Sequence, residues 1–231
     1  MRQKITSKLV LFTALILLFT LTLNTVYAAT PVIITHFEAG DEAVATLNDD
    51  ELDRTIDKVP LFNQGDYPNV PYGNYGSIAS HGCGIVSLAM VATYLTDEFH
   101  SPVDLAKRFG HYNTERGSYW SLFEDTSKVL GLGFQEQTYS WSKVKDALAN
   151  GQVVVALQGR GLFTGGGHYI VLTGLTEDGK IMVNDPNGNN WMKDKVMIEG
   201  FMNGFTDQQI TENGGPYWIY DKKPAKDTTI E

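Results

Sequence analysis

The chain has 231 residues, 42% of them hydrophobic, with a single cysteine and a formal net charge of -9. That length suits one domain, or one domain with extensions, and the composition excludes a collagen, a repeat array and a wholly disordered chain. The acidic balance argues against a nucleic-acid partner and against an anionic membrane surface.

Residues 1–28 read as a targeting signal. Arg2, Lys4 and Lys8 form a positive start, residues 9–23 are an apolar run, and Val26-Tyr27-Ala28 predicts cleavage after Ala28. A retained membrane anchor is the alternative, but the apolar run is short against the roughly 20 residues of a bilayer span. Cleavage removes three positive charges and no acidic ones, which takes the formal charge to about -12. The expectation is a secreted or cell-surface protein that makes no membrane contact once the signal is gone. Exported proteins normally pair their thiols or avoid them, so the lone Cys83 requires a reason, either buried packing or chemistry.

Residues 29–58 read as a linker or weakly ordered arm, with Pro31-Val32-Ile33-Ile34 as a short strand and an acidic run at 49–53. A propeptide is an alternative for this arm. The globular domain is expected over residues 59–221, with 222–231 as a tail. Pro60 keeps residues 58–59 extended. Residues 65–76 cluster glycine, proline, asparagine and tyrosine and read as loop. A helix is predicted over 83–96, with Val86, Met90 and Val91 at helical spacing and small or apolar residues opposite, the pattern of a helix covered on most sides. Ser101-Pro102-Val103-Asp104 starts a second helix, with Ser101 as N-cap and Pro102 in the first turn. A third spans about 119–130 and stops at Gly131. A fourth, capped by Ser140 or Ser142, runs to Ala149 and stops at Gly151.

The second half changes character. Val153-Val154-Val155-Ala156-Leu157 and residues 169–175 are β-rich runs. Glu177-Asp178-Gly179-Lys180 is a hairpin turn, and residues 180–184 return. Residues 195–201 read as a short helix or a strand, and 216–220 as a last strand. A helical half followed by an antiparallel half is an α+β layout.

Three pieces carry chemistry. Cys83 opens the first long helix, where the helix dipole favours a thiolate. His168 follows Gly165-Gly166-Gly167, whose missing side chains allow something to reach it. The hairpin brings Asn184-Asp185-Pro186 alongside the His168 strand, so Asp185 can accept from the imidazole and fix its tautomer. A nucleophile needs a base in reach and a group that orients the base. The developing oxyanion needs donors, and the Cys83 N–H and the Gln64 side chain suit that need. His81 is too close in sequence to Cys83 to approach it across a helix start, and reads as a loop or pocket residue. His36, His100 and His111 show no ligand spacing, so no metal and no cofactor is expected. Tyr72, Tyr75, Trp120 and Trp141 are candidates to line a substrate groove, although aromatics are more often packing.

The order Phe62-Asn63-Gln64, Gly82-Cys83-Gly84, Gly167-His168-Tyr169 and Asn184-Asp185-Pro186 resembles the papain-like cysteine peptidases. It is most similar to the bacteriocin-processing (double-glycine leader) peptidase family and its stand-alone secreted bacterial relatives, over about residues 59–220. Asn150-Gly151-Gln152 before an apolar strand also matches. The resemblance implies a papain-like fold, Cys83 as nucleophile, His168 as general base and acid, Asp185 as orienter and Gln64 at the oxyanion hole. It implies a peptide or protein substrate. The transporter-linked members continue into membrane and nucleotide-binding domains. Neither such spans nor a phosphate-binding glycine loop is found here, so leader cleavage coupled to export is not implied. Three functions use these residues: hydrolysis through an acyl-thioenzyme, acyl transfer to an amine, and non-catalytic binding on the same fold. Substrate identity and oligomeric state are not encoded in these motifs.

Overall fold

A computed structural model describes residue 56 and residues 58–223. They fall in one of the two units of the chain, Leu47–Glu231. The other, Met1–Thr46, lies outside the described residues, and with it the expected signal and the expected strand at Pro31-Val32-Ile33-Ile34. Most of the linker and of the C-terminal tail also lie outside them.

A 3-10 turn at Gln64–Asp66 leads to a short helix, α1 (Ile78–His81), which passes through Gly82 into α2 (Cys83–Thr96). Every residue from 84 to 93 is buried, as expected of a helix with no polar face. α3 (Pro102–Arg108) starts as its sequence dictates, with Ser101 Oγ accepting from the Val103 N–H at 3.2 Å. A small hairpin follows, β1 (Asn113–Thr114) with β2 (Gly117–Ser118). α4 (Ser121–Leu130) ends at Gly131, whose φ of 68° is left-handed. Then come β3 (Phe134–Thr138), α5 (Trp141–Ala149) with Ser140 as its N-cap, β4 (Gln152–Gln158), β5 (His168–Leu175) and β6 (Ile181–Asn184). The described residues close with α6 (Lys195–Asn203), α7 (Asp207–Thr211) and β7 (Gly214–Lys222). Residues 195–203 are therefore helix rather than strand, and Asp194 caps them by accepting from the Met197 N–H at 2.9 Å.

Five strands form one antiparallel sheet in the order β3-β7-β4-β5-β6. The last strand among the described residues is thus internal, between β3 and β4. β3 falls where the sequence predicts no strand: Phe-Gln-Glu-Gln-Thr is nearly all polar, and as an edge strand with one partner it buries too little to show an apolar run. The sheet is covered on both faces. Val153, Val155, Tyr169, Val171, Trp218 and Tyr220 join one core with α2, α3 and α4. Val154, Ala156, Ile170, Leu172, Tyr217 and Ile219 join another with α5, α6 and α7. Two covered faces explain why β4 and the start of β5 read as continuous apolar runs instead of alternating. The result is mixed helix and antiparallel sheet, an α+β papain-like peptidase fold.

α2 lies against the sheet through Gly84. A Cβ added there would meet Ser118 Oγ at 2.6 Å, Ser118 Cβ at 2.9 Å and the Tyr169 ring at 3.2 Å. Gly84→Ala forces β2 and β5 away from the helix start and is expected to destabilise the protein by about 1–3 kcal/mol, read as a lowered midpoint in thermal or urea unfolding.

Candidate active site

Cys83 begins α2 with Gly82 ahead of it, and no side chain caps the helix. The first amides of a helix lack intrahelical partners and carry the positive end of its dipole. Cys83 is half-buried and borders an open cleft of about 820 Å³.

His168 begins β5 opposite Gln158 and is 6% exposed. The glycines before it are not imposed by packing: a Cβ at Gly165, Gly166 or Gly167 meets nothing within 4 Å. Gly167 lines the cleft. Asp185 follows β6. Asn184 faces Val171 and Val183 faces Leu172, with a register shift beyond Leu172. From there the Asp185 side chain reaches back towards the start of β5, and His168 Nε2 donates to Asp185 Oδ1 at 2.6 Å. A carboxylate only accepts, so Nε2 holds the proton, and Nδ1 is the nitrogen left for Cys83, which hydrogen-bonds to the same imidazole.

The electrostatics follow from these contacts. Burial alone would depress His168. The hydrogen bonds to Asp185 and Cys83, and the charges of both, override it and hold the imidazole well above the ordinary histidine value. Burial alone would raise the Cys83 thiol. The His168 hydrogen bond and charge, together with the Tyr169 and Gly84 N–H groups, outweigh it and bring the thiol below its ordinary value. Both shifts favour a thiolate–imidazolium pair.

Gln64 opens the 3-10 turn beside α1. Its backbone N–H donates to Pro186 O at 2.7 Å, and its side-chain Nε2 donates to Ala79 O at 2.7 Å. Oε1 is buried with no partner among the described residues. Gln64 is thus tied to the turn behind Asp185 and to the helix that leads into Cys83.

The sequence model of the Peptidase_C39 like family matches residues 56–210, more than half of the chain. The chain belongs to the Peptidase_C39-like family. The family is one of cysteine peptidases, in line with the resemblance read from the motifs. A search of curated proteins found no match. The family match stops ahead of β7, an internal strand of the sheet that lies between β3 and β4.

Two of the four aromatic groove candidates line the cleft. Tyr75 and Trp120, 48% and 46% exposed, stand on its rim beside Tyr119. Tyr72 does not: it is fully buried, and its hydroxyl lies on Ser118 Oγ at 2.8 Å. Trp141 packs on Tyr217 at 5.7 Å, in the core on the far side of the sheet from α2. His81 pairs its Nδ1 with Ser80 Oγ at 2.8 Å. Gln152 of the Asn-Gly-Gln motif donates to Tyr220 O at 2.9 Å and ties β4 to β7. Among the described residues, no three His, Cys, Asp or Glu side chains converge to hold a metal ion.

One residue of the site was not anticipated. Asn190, 6% exposed, donates from Nδ2 to Asp185 Oδ2 at 2.8 Å and to Phe163 O at 2.8 Å. With the Asn187 N–H on Oδ1 at 2.7 Å, the buried carboxylate has three donors. The only sequence signal for Asn190 is the asparagine-rich turn after Asp185-Pro186.

Two outcomes are expected. Iodoacetamide labelling of Cys83 should have its acid-side midpoint below the ordinary thiol value. In His168→Ala that midpoint should rise, because the strongest lowering influence is gone while burial remains. Asn190→Ala leaves two buried oxygens unpaired and should lower unfolding stability by roughly 2–4 kcal/mol, measured by chemical denaturation.

Proposed function

We propose that this C39-like protein is an exported peptidase that hydrolyses peptide bonds through an acyl-thioenzyme, with Cys83 as nucleophile, His168 as base and acid, Asp185 as orienter and Gln64 at the oxyanion hole. The observation that carries the reading is the single imidazole shared between the thiol and a buried carboxylate. Export rests on the signal-like pattern of residues 1–28.

The Cys83 thiolate attacks the scissile carbonyl carbon, and the carbonyl oxygen takes up the negative charge. The Cys83 backbone N–H at the helix start and the second N–H of Gln64 Nε2, the first being held by Ala79 O, are the donors for that oxygen. As the intermediate collapses, the C–N bond breaks and His168 passes its Nδ1 proton to the leaving amine. The neutral imidazole then takes a proton from water. The hydroxide attacks the thioester, the C–S bond breaks, and the acid product leaves with the thiolate restored. Throughout, Asp185 holds Nε2–H and so keeps Nδ1 facing the sulfur.

The test is a proteome-derived peptide library treated with the full chain and read by N-terminal labelling and mass spectrometry. New termini should appear with the wild type and be absent with Cys83→Ala. Asp185→Asn should slow cleavage by roughly 10²- to 10⁴-fold. Cleavage that survives Cys83→Ala would sink the reading.

A further inference from the structure

Ser118 stands in the cleft wall beside the nucleophile and has a hydroxyl that the steps above leave unused. β2 carries it so close to the start of α2 that a Cβ at Gly84 would lie 2.6 Å from its Oγ. Two buried tyrosines hold it from behind. Tyr169 Oη donates to the Ser118 carbonyl at 3.0 Å, and Tyr72 Oη lies 2.8 Å from Ser118 Oγ.

Burial decides which of those two hydroxyls donates. Tyr72 is wholly enclosed, and burial also raises its phenol above the ordinary tyrosine value, so it keeps its proton. Among the described residues, Ser118 Oγ is the side-chain partner of that hydroxyl. If Ser118 donated, the Tyr72 proton would be buried and unpaired, which native structures rarely tolerate. Ser118 has an outlet that Tyr72 lacks, because it borders the open cleft shared with Cys83, Gly167 and Trp120. With Tyr72 as the donor, the proton of Ser118, a residue 9% exposed at the cleft wall, is left for a partner on the cleft side.

We propose that Ser118 Oγ–H is a substrate-binding donor that takes a main-chain carbonyl oxygen of the peptide beside the scissile bond. The inference rests on Cys83 being the nucleophile of a peptidase. A peptide lying against Cys83 offers carbonyl oxygens as its acceptors, and a donor already aimed by Tyr72 binds one with little reorganisation. The bond acts on the bound peptide, so it belongs to affinity and not to thiol reactivity.

The probe is benzyloxycarbonyl-Phe-Ala-fluoromethyl ketone, which places a short peptide against the thiol and alkylates it. Inactivation of the full chain gives KI and the maximal rate, mass spectrometry confirms Cys83 as the labelled residue, and iodoacetamide serves as a reagent with no peptide chain. Ser118→Ala should raise KI roughly threefold to tenfold, with the maximal rate and the iodoacetamide rate held. The double variant Tyr72→Phe/Ser118→Ala removes the stranded Tyr72 hydroxyl and should show the same rise in KI in a more stable protein. A KI within roughly twofold of wild type in either folded variant overturns the proposal. So does a fall in both rates at constant KI, which would make Ser118 a determinant of the thiol. Failure of both variants to fold would leave Ser118 as an anchor only and likewise overturn it. Absence of label on wild-type Cys83 would overturn the peptidase reading itself, an outcome distinct from a labelled Cys83 with unchanged KI.

Discussion

A carboxylate with no access to solvent is the constraint around which this site is built. Moving such a group out of water is costly unless every lone pair it presents is met. Asp185 is met by an imidazole, a backbone amide and a carboxamide, and the donors come from two pieces of chain. His168 comes from the start of β5, Asn187 from the turn after β6, and Asn190 from the 3-10 turn that follows. Through Phe163 O, Asn190 also fixes the loop between β4 and β5. Satisfying one buried charge thus sets the geometry of the whole sheet end that faces Cys83.

The other half of the site is joined to this one by the incoming chain. Asn184 Nδ2 donates to Val59 O at 2.9 Å and to Pro60 O at 3.1 Å, the Gly188 N–H donates to Asn63 Oδ1 at 3.2 Å, and Gln64 bridges Pro186 and Ala79. Residues 59–64 therefore run as a seam between the turn that bears Asp185 and the helix pair that bears Cys83. Cys83 and His168 sit on different layers, and this seam is a set of backbone and carboxamide contacts in which no ion pair takes part. Such contacts are directional and little affected by salt.

Much of this was legible in the sequence because each legible feature has a local cause. Cys83, His168 and Asp185 stand out as a lone thiol at a helix start, a histidine behind three glycines, and an aspartate one hairpin away. Helix α2 was readable to its ends because it is apolar all round. β3 was not, since an edge strand of mostly polar residues carries no periodic signal, and its membership in the sheet depends on β7, which lies some eighty residues later. Asn190 was hidden for a different reason: its role depends on where a 3-10 turn aims one carboxamide, and no spacing rule encodes that. Tyr72 was misplaced because an aromatic in a glycine-rich loop looks the same in sequence whether it lines a groove or closes the core beneath it.

At the far end of α2, Asp97 takes a left-handed conformation and accepts from the Ile56 N–H at 2.7 Å, while Lys223 pairs with Asp97 and donates to Ile56 O at 2.7 Å. Residues from just before the domain and from just after β7 are thereby clamped onto the tail of the helix whose head is the thiol. A helix of 14 residues is a stiff rod of about 20 Å. A rod seated at both ends cannot slide or turn without breaking one of its seats. The alignment of sulfur and imidazole is in this sense a matter of axial registration, set as much by the bearing at Asp97 as by anything in the cleft. A tag or fusion joined close to either flank would act on Cys83 through that bearing.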